Sequence, residues 1–421
     1  MKAKLIVHAA QIATPVGHSA RSGRDMDRIA LIPDGAVYLE DGVIEKVGAT
    51  EEVLAGLDGR EKSAEVISAE GKCVVPGFVD SHTHFIFAGY RPEEFVDRLA
   101  GTPYLSILKR GGGIQSTVKS TRRASFRELY EAGYRRMDGF LRQGVTTLEG
   151  KSGYGLDLET ELRQLEVMKE LQKNHPATLV STYLGGHAVP PEFAGRAGDY
   201  IDEMLRSVLP AVRERNLARF CDVFCEKGVF SVAQSERLLS GARRMGFRLK
   251  IHADEISPLG GAELAGRLGA VSADHLLMAS KDGIRAIARS GTVATLLPCT
   301  AFCLNEPYAD AVGMIGGNCA VALASDYNPG SCFTDSVPLI LALAVIHMHM
   351  STAEALTALT LNGAAALGLA GRIGSIEPGK EADLLFLRYP DYRFLVYHTG
   401  VNIVESVMKK GDFVWRQEKK S

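Results

Sequence analysis

The chain has 421 residues, 46% of them apolar and 23% charged, and carries a formal net charge of −2. This length suits a large α/β barrel with a smaller satellite domain, and the even mix of charge signs argues against nucleic acid or a membrane surface as partner. No unbroken apolar run reaches the roughly 18 residues of a membrane span, and the apolar run after Lys2 and Lys4 is too brief for a secretory leader.

Seven cysteines, an odd number with no Cys-x-x-Cys pair, read as buried thiols of a protein in the reducing cytoplasm. The closest spacings, Cys221/Cys225 and Cys299/Cys303, leave a thiolate metal site as the alternative.

Residues 1–75 read as β-rich. Segments 36–40 and 43–47 flank Asp41-Gly42, a strong hairpin signal. The long middle then alternates short apolar strands with helical patterns. The strand candidates are 74–84, 145–151, 178–187, 219–226, 248–253, 270–275, 293–297 and 320–326. Amphipathic helices are predicted among them, including 160–174, 231–245 and 280–289. This alternation favours a (β/α)8 TIM barrel over an open doubly wound sheet. Residues 371–421 turn β-rich again. Segment 382–387 reads as a buried strand, and 404–409 and 412–415 flank the turn-like Lys410-Gly411. Neither end is long enough for a stable sheet alone, so the two are expected to pair into one small domain.

Chemically capable residues recur at the C-terminal ends of the predicted barrel strands: His82 and His84, Lys151, His187, Glu226, His252, His275 and Asp326. A barrel gathers such residues around one mouth, where its active site lies. In Asp80-Ser81-His82-Thr83-His84, residues i and i+2 of a strand point to one side, so both imidazoles can reach one ion. His252, His275 and Asp326 arrive from three further strands. Imidazole and carboxylate donors suit Zn2+ or iron, and such a set leaves a position for water. A second His-x-His, His347-Met348-His349, lies in 339–358, which reads as helical. On a helix i and i+2 stand about 200° apart, so this pair is assigned to packing or surface.

Pro76-Gly77-Phe78-Val79-Asp80-Ser81-His82-Thr83-His84, followed by one histidine on a later strand, another on the next and Ser-Asp on the last, resembles the amidohydrolase superfamily. The resemblance covers the whole chain, including Gly374-Ser375-Ile376-Glu377-Pro378-Gly379-Lys380-Glu381-Ala382-Asp383-Leu384. It implies a fold of class α/β: a barrel over 76–370 and a small β-sandwich domain built from 1–75 and 371–421. It also implies one Zn2+ or Fe3+ ion per subunit, held by His82, His84, His252 and Asp326, and a possible homodimer.

Four segments narrow the resemblance. They are Phe87-Ala88-Gly89-Tyr90-Arg91, Glu149-Gly150-Lys151-Ser152-Gly153-Tyr154-Gly155-Leu156, Gly185-Gly186-His187-Ala188-Val189-Pro190 and His252-Ala253-Asp254-Glu255. They resemble the branch that opens a cyclic amide, 4-imidazolone-5-propanoate, to N-formimidoyl-L-glutamate in histidine degradation. On that resemblance Arg91, a fixed cation, takes the propanoate. Tyr154 and His187 hydrogen-bond the substrate, His187 to a ring oxygen or a ring nitrogen. Asn328, Gly330 and Ser331 resemble contacts to the acyl and amino portions. Glu255 stands beside the metal as proton shuttle and also touches substrate. His275 orients water or the developing oxyanion, and Asp326 joins them in the catalytic set. Segment 90–120 is a candidate lid with Gly111-Gly112-Gly113 as hinge.

Three alternatives remain open on the sequence. A deaminase of the same superfamily would use much the same metal residues. A binuclear hydrolase would carry a carbamylated, metal-bridging Lys151. A non-catalytic scaffold would be expected to have lost metal ligands that this chain retains.

Overall fold

The computed structural model describes residues 2–102 and 112–418. The chain begins with β1 (Ala3–Pro15), β2 (Ile29–Glu40), β3 (Val43–Ala49), β4 (Glu65–Ser68) and β5 (Cys73–Pro76). The barrel strands follow: β6 (Phe78–Asp80), β7 (Val145–Lys151), β8 (Thr178–Gly186), β9 (Phe220–Cys225), β10 (Arg248–Ala253), β11 (Ser272–His275), β12 (Val293–Leu296) and β13 (Val321–Leu323). The chain closes with β14 (Leu384–Leu387), β15 (Val404–Lys409) and β16 (Asp412–Arg416).

The terminal strands make one mixed sheet in the order β16-β15-β14-β5-β1-β2-β3, with β4 also on β1. The predicted turns at Asp41-Gly42 and Lys410-Gly411 join β2 to β3 and β15 to β16. The sheet curls over an apolar cluster that draws Ile6, Ile12, Val37 and Ile44 from one arm and Leu384, Phe386 and Met408 from the other. The Ile44 amide donates to the Lys380 carbonyl and the Ala382 amide to the Gly42 carbonyl, joining the arms. This curled sheet is the small terminal β-unit expected from the sequence.

The second sheet runs β6 to β13 in chain order, each strand parallel to the next. Side chains cap several of the outer helices at their N-termini. Ser125, Asp157, Ser231 and Ser280 each accept a backbone N–H of the first turn, satisfying donors that the helix itself leaves unpaired. The ring closes just beyond the strands. Thr83 bridges Tyr327 in parallel, the Asp326 amide donates to the His82 carbonyl at 3.0 Å, and the His84 amide donates to the Tyr327 carbonyl at 2.9 Å.

Two expectations are corrected. The first predicted strand, 74–84, is three pieces: β5 in the terminal sheet, β6 in the barrel, and an extended tail carrying His82 and His84. The Gly77 amide donates to the Asp383 carbonyl and the Phe78 amide to the Gly144 carbonyl, so the chain changes sheets at Pro76-Gly77. A Cβ at Gly77 would lie 2.3 Å from the Thr146 hydroxyl. The predicted helix 339–358 is two helices, Val337–Ile346 and Thr352–Leu359. His347 and His349 occupy the exposed turn between them, His349 with φ +57. Ser351 caps the second helix through a full capping box, a start signal inside the apparent single helix. The hinge proposed for segment 90–120 lies partly outside the described residues. Helices Pro92–Leu99 and Ile114–Arg123 belong to its described parts.

Candidate metal centre and active site

The barrel seam brings the predicted ligands together. His82, His84, His252 and Asp326 are all buried. His84 Nε2 lies 3.2 Å from His82 Nε2 and 3.4 Å from His252 Nε2. Asp326 Oδ1 is 3.5 Å from His82 Nε2 and 3.4 Å from His84 Nε2. Metal bonds of about 2.0–2.1 Å put the corners of a tetrahedron about 3.3 Å apart, so His82, His84 and Asp326 are spaced to share one ion, while His252, beside His84, also groups with His82 and His275. Burial, then Lys151 and the neighbouring imidazoles, holds the His82 pKa well below its usual value, and burial chiefly lowers His252 to about 4. Neutral imidazoles such as these two are able to serve as metal donors. The Thr300 hydroxyl donates to Asp326 Oδ2 at 2.6 Å and holds the carboxylate's other oxygen.

A layer of buried charge supports the ligands from the barrel interior. Asp274 Oδ2 is 2.6 Å from His82 Nδ1, and Asp222 Oδ2 is 3.1 Å from His252 Nδ1. A carboxylate at Nδ1 favours the tautomer whose Nε2 lone pair is free for metal. Lys151 Nζ sits 2.7 Å from Asp222, 2.9 Å from Glu149 and 3.6 Å from Asp274. Lys250 Nζ donates to the Ser81 carbonyl at 2.8 Å and to Glu149 at 2.9 Å. Burial opposes the Lys151 charge, but the three carboxylates outweigh it and raise its pKa. A carbamate forms from a neutral amine. Lys151 is fully buried among these three carboxylates, which favour its charged form over the neutral amine that a carbamate needs.

Beyond β10, residues 254–261 fold back on themselves. Asp254 accepts the Gly260, Gly261 and Ala262 amides at 2.9, 3.0 and 2.8 Å. Glu226, at the end of β9, accepts the Ile256 amide at 2.9 Å and the Ser257 hydroxyl. This brace directs Glu255 toward His275, whose Nε2 is 3.6 Å from the carboxylate. Burial raises the Glu255 pKa above the ordinary carboxylate range, against the lowering effect of His275. Both ring nitrogens of the buried His275 lack a hydrogen-bond partner among the described residues.

The predicted substrate residues stand around this centre. Arg91 is half-buried and has Glu94 at 3.5 Å, while its Nε has no hydrogen-bond partner among the described residues. Its guanidinium lies against Gly330, where a Cβ would fall 1.8 Å from Nη2. The buried ring of Tyr154 is 6.1 Å from the His84 ring and 5.3 Å from the His187 ring. His187 stacks on His84 at 4.9 Å and donates from Nδ1 to the Gly153 carbonyl at 3.1 Å. Burial and the His84 and His252 rings lower its pKa well below the usual value, so the ring is neutral. The Asn328 amide turns inward: Oδ1 accepts the Gly330 and Ser331 amides at 2.8 Å each, and Nδ2 donates to the Asp326 carbonyl at 2.7 Å. Asn328 therefore holds the loop that carries Gly330 and Ser331.

Sequence reading had passed over Asp80, Asp222, Asp274, Lys250, Glu161 and Thr300. Asp80 receives the His82 and Ser325 amides at 3.3 and 3.2 Å and so ties the two ligand-bearing tails of the seam. Charged residues inside apolar strands, as in Cys221-Asp222-Val223 and Leu249-Lys250-Ile251, are the signal that could have found two of them. The seven cysteines are free thiols, and six are buried. The described groups able to hold a metal contain no cysteine, so the thiolate site drops out.

This arrangement defines a class. The amidohydrolase family model matches residues 73–414, and the chain belongs to that family, whose members are metal-dependent. Proteins named imidazolonepropionase are similar over nearly their whole length. That of Parabacteroides distasonis is 59% identical over 97% of this chain and 98% of its own. That of Clostridium tetani is 53% identical over 98% of each, and that of Bacteroides thetaiotaomicron 54% over 98% of this chain and 99% of its own. Within the amidohydrolases, the chain belongs to the imidazolonepropionase family. Solved structures with the same fold include guanine deaminase from C. acetobutylicum with bound guanine, TM-score 0.72 at 16% identity, covering 98% of this chain and all of that one. Another is an adenosine deaminase from Xanthomonas campestris with bound zinc, TM-score 0.69 at 21% identity, covering 98% and 93%. At that identity the likeness concerns fold alone.

Proposed function

We propose that the chain hydrolyses the ring carbon–nitrogen bond of 4-imidazolone-5-propanoate to give N-formimidoyl-L-glutamate, a step of histidine degradation. The observation that carries this reading is the seam itself: neighbouring donor atoms from three segments lie 3.2–3.5 Å apart. His82, His84, His252 and Asp326 would hold one Zn2+ or Fe3+ ion per subunit, which when bound would acidify a water toward a pKa of about 7 and polarise the ring carbonyl.

The chain's own residues do the rest. Arg91 pairs with the propanoate, while Gly330 and Ser331, on the loop braced by Asn328, meet the acyl and amino portions. Tyr154 contacts the ring from the loop beside His187. The Gly153 carbonyl only accepts, so the neutral His187 carries its hydrogen on Nδ1 and offers Nε2 as an acceptor. That supports a hydrogen bond from a ring N–H rather than one to the ring oxygen. Glu255 takes the proton of the attacking water and returns it to the departing ring nitrogen, and its raised pKa brings it nearer the neutral range where such transfer is efficient. His275 stabilises the developing oxyanion.

Residues 76–370 are assigned to the catalytic barrel, and 1–75 with 371–421 to the composite terminal domain. No helix of the described residues is long and apolar enough to cross a membrane. We assign the protein to the cytoplasm, where its free thiols stay reduced, as a homodimer acting on a small molecule. The test is ultraviolet monitoring of 4-imidazolone-5-propanoate with and without chelator. Loss of absorbance that stops on chelation and returns with metal is expected. A Glu255→Gln protein that keeps its metal and near-normal turnover would remove the proton shuttle. Ammonia release on first turnover would favour a deaminase instead.

A further inference from the structure

The loop after β7 carries Tyr154 in the run Gly153-Tyr154-Gly155-Leu156. The loop turns sharply, with Gly153 at φ +105 and Leu156 at φ +57, and its four consecutive backbone N–H groups bond outside the loop. All four are received by two side chains of one neighbouring helix, Leu158–Asn174. Glu161 accepts from Gly153 at 3.1 Å and from Gly155 and Leu156 at 2.9 Å each. Gln164 accepts from Tyr154 at 3.3 Å, and its amide donates to the Ile86 carbonyl at 2.7 Å. Ile86 lies on the segment that runs from His84 to Arg91. Both side chains are buried, on a helix face that otherwise presents Leu165, Met168 and Leu171.

A charged carboxylate on an apolar helix face is costly unless its hydrogen bonds are satisfied. Here the partners are the loop amides, and the fit is tight. A Cβ at Gly155 would lie 2.7 Å from the Glu161 amide, and one at Gly153 would lie 2.7 Å from the Leu184 carbonyl. The bracket also reaches His187, because the carbonyl that orients that ring belongs to Gly153.

We propose that Glu161 and Gln164 are positioning residues. Their side chains fold the 153–156 loop so that Tyr154 and His187 meet the substrate, without touching it themselves. This inference rests on the substrate reading above for its kinetic consequence, though not for its structural one.

Two measurements test it on the metal-loaded protein. Hydrogen exchange should accelerate in Glu161→Gln at the 153–156 amides, with the rest of the chain and the metal content unchanged. Turnover of 4-imidazolone-5-propanoate should fall up to about a hundredfold in kcat/KM, the scale of an ångström-level misplacement. In a cycle with Tyr154→Phe the two losses should not multiply, since one residue acts through the other. Unchanged exchange at 153–156, or losses that multiply fully, would overturn the proposal. If Glu161→Gln does not fold, Glu161→Asp, which keeps the charge and shortens the reach, carries the same two readouts. A wild-type protein inert toward the imidazolone would defeat the substrate reading, and the exchange result would still decide the bracket.

Discussion

The chain contains two His-x-His segments, and the fold treats them oppositely. His82 and His84 sit at the seam of the barrel, buried, with their Nε2 atoms 3.2 Å apart and Asp326 facing both. His347 and His349 occupy an exposed turn, where His347 stacks on Tyr308 with ring centroids 5.3 Å apart. The same three-residue pattern makes a candidate metal site in one place and ordinary surface in the other. The difference lies in what stands behind the rings. The first pair has carboxylates and lysines locked inside the barrel, whereas the second has solvent.

That comparison is easiest to break at the ligands. His84→Ala should abolish bound metal and turnover together, measured by metal analysis and the ultraviolet assay. Lys151→Met should come next. Removing one buried ammonium from among Glu149, Asp222 and Asp274 leaves uncompensated charge, at about 3–5 kcal/mol of stability by thermal or denaturant unfolding. Asp274→Asn should leave the fold intact and weaken metal binding by about 10–100-fold, some 1.4–2.7 kcal/mol, read by competition with a chelator. Unchanged affinity would show that the layer behind His82 is dispensable. The smallest effect belongs to His349→Ala, with stability within about 0.5 kcal/mol of wild type and full metal content. A loss of metal there would erase the contrast between the two segments.

Much of this architecture was legible beforehand. The spans predicted for β7 and β10 coincide with those observed. The predicted helices 231–245 and 280–289 begin at Ser231 and Ser280, the observed N-caps. Local signals failed where tertiary contacts override them. Segment 74–84 reads as one strand, yet β5 and β6 within it pair with different sheets. Glu161 and Gln164 look like solvent-facing helix polarity, and their partners are backbone amides, which carry no residue identity to read.

The amino-acid sequence by itself determined the alternation of strands and helices, the β-rich ends, and which side chains would stand at strand termini, since these follow from short-range periodicity and turn chemistry. Only the tertiary structure decided that the first and last barrel strands meet, that Asp274 and Asp222 stand behind His82 and His252, and that Lys151 is buried among three carboxylates. Those relations join residues up to about two hundred and fifty positions apart, as between Asp80 and the Ser325 amide. No local pattern encodes them, because closing the ring depends on the packing of the whole barrel.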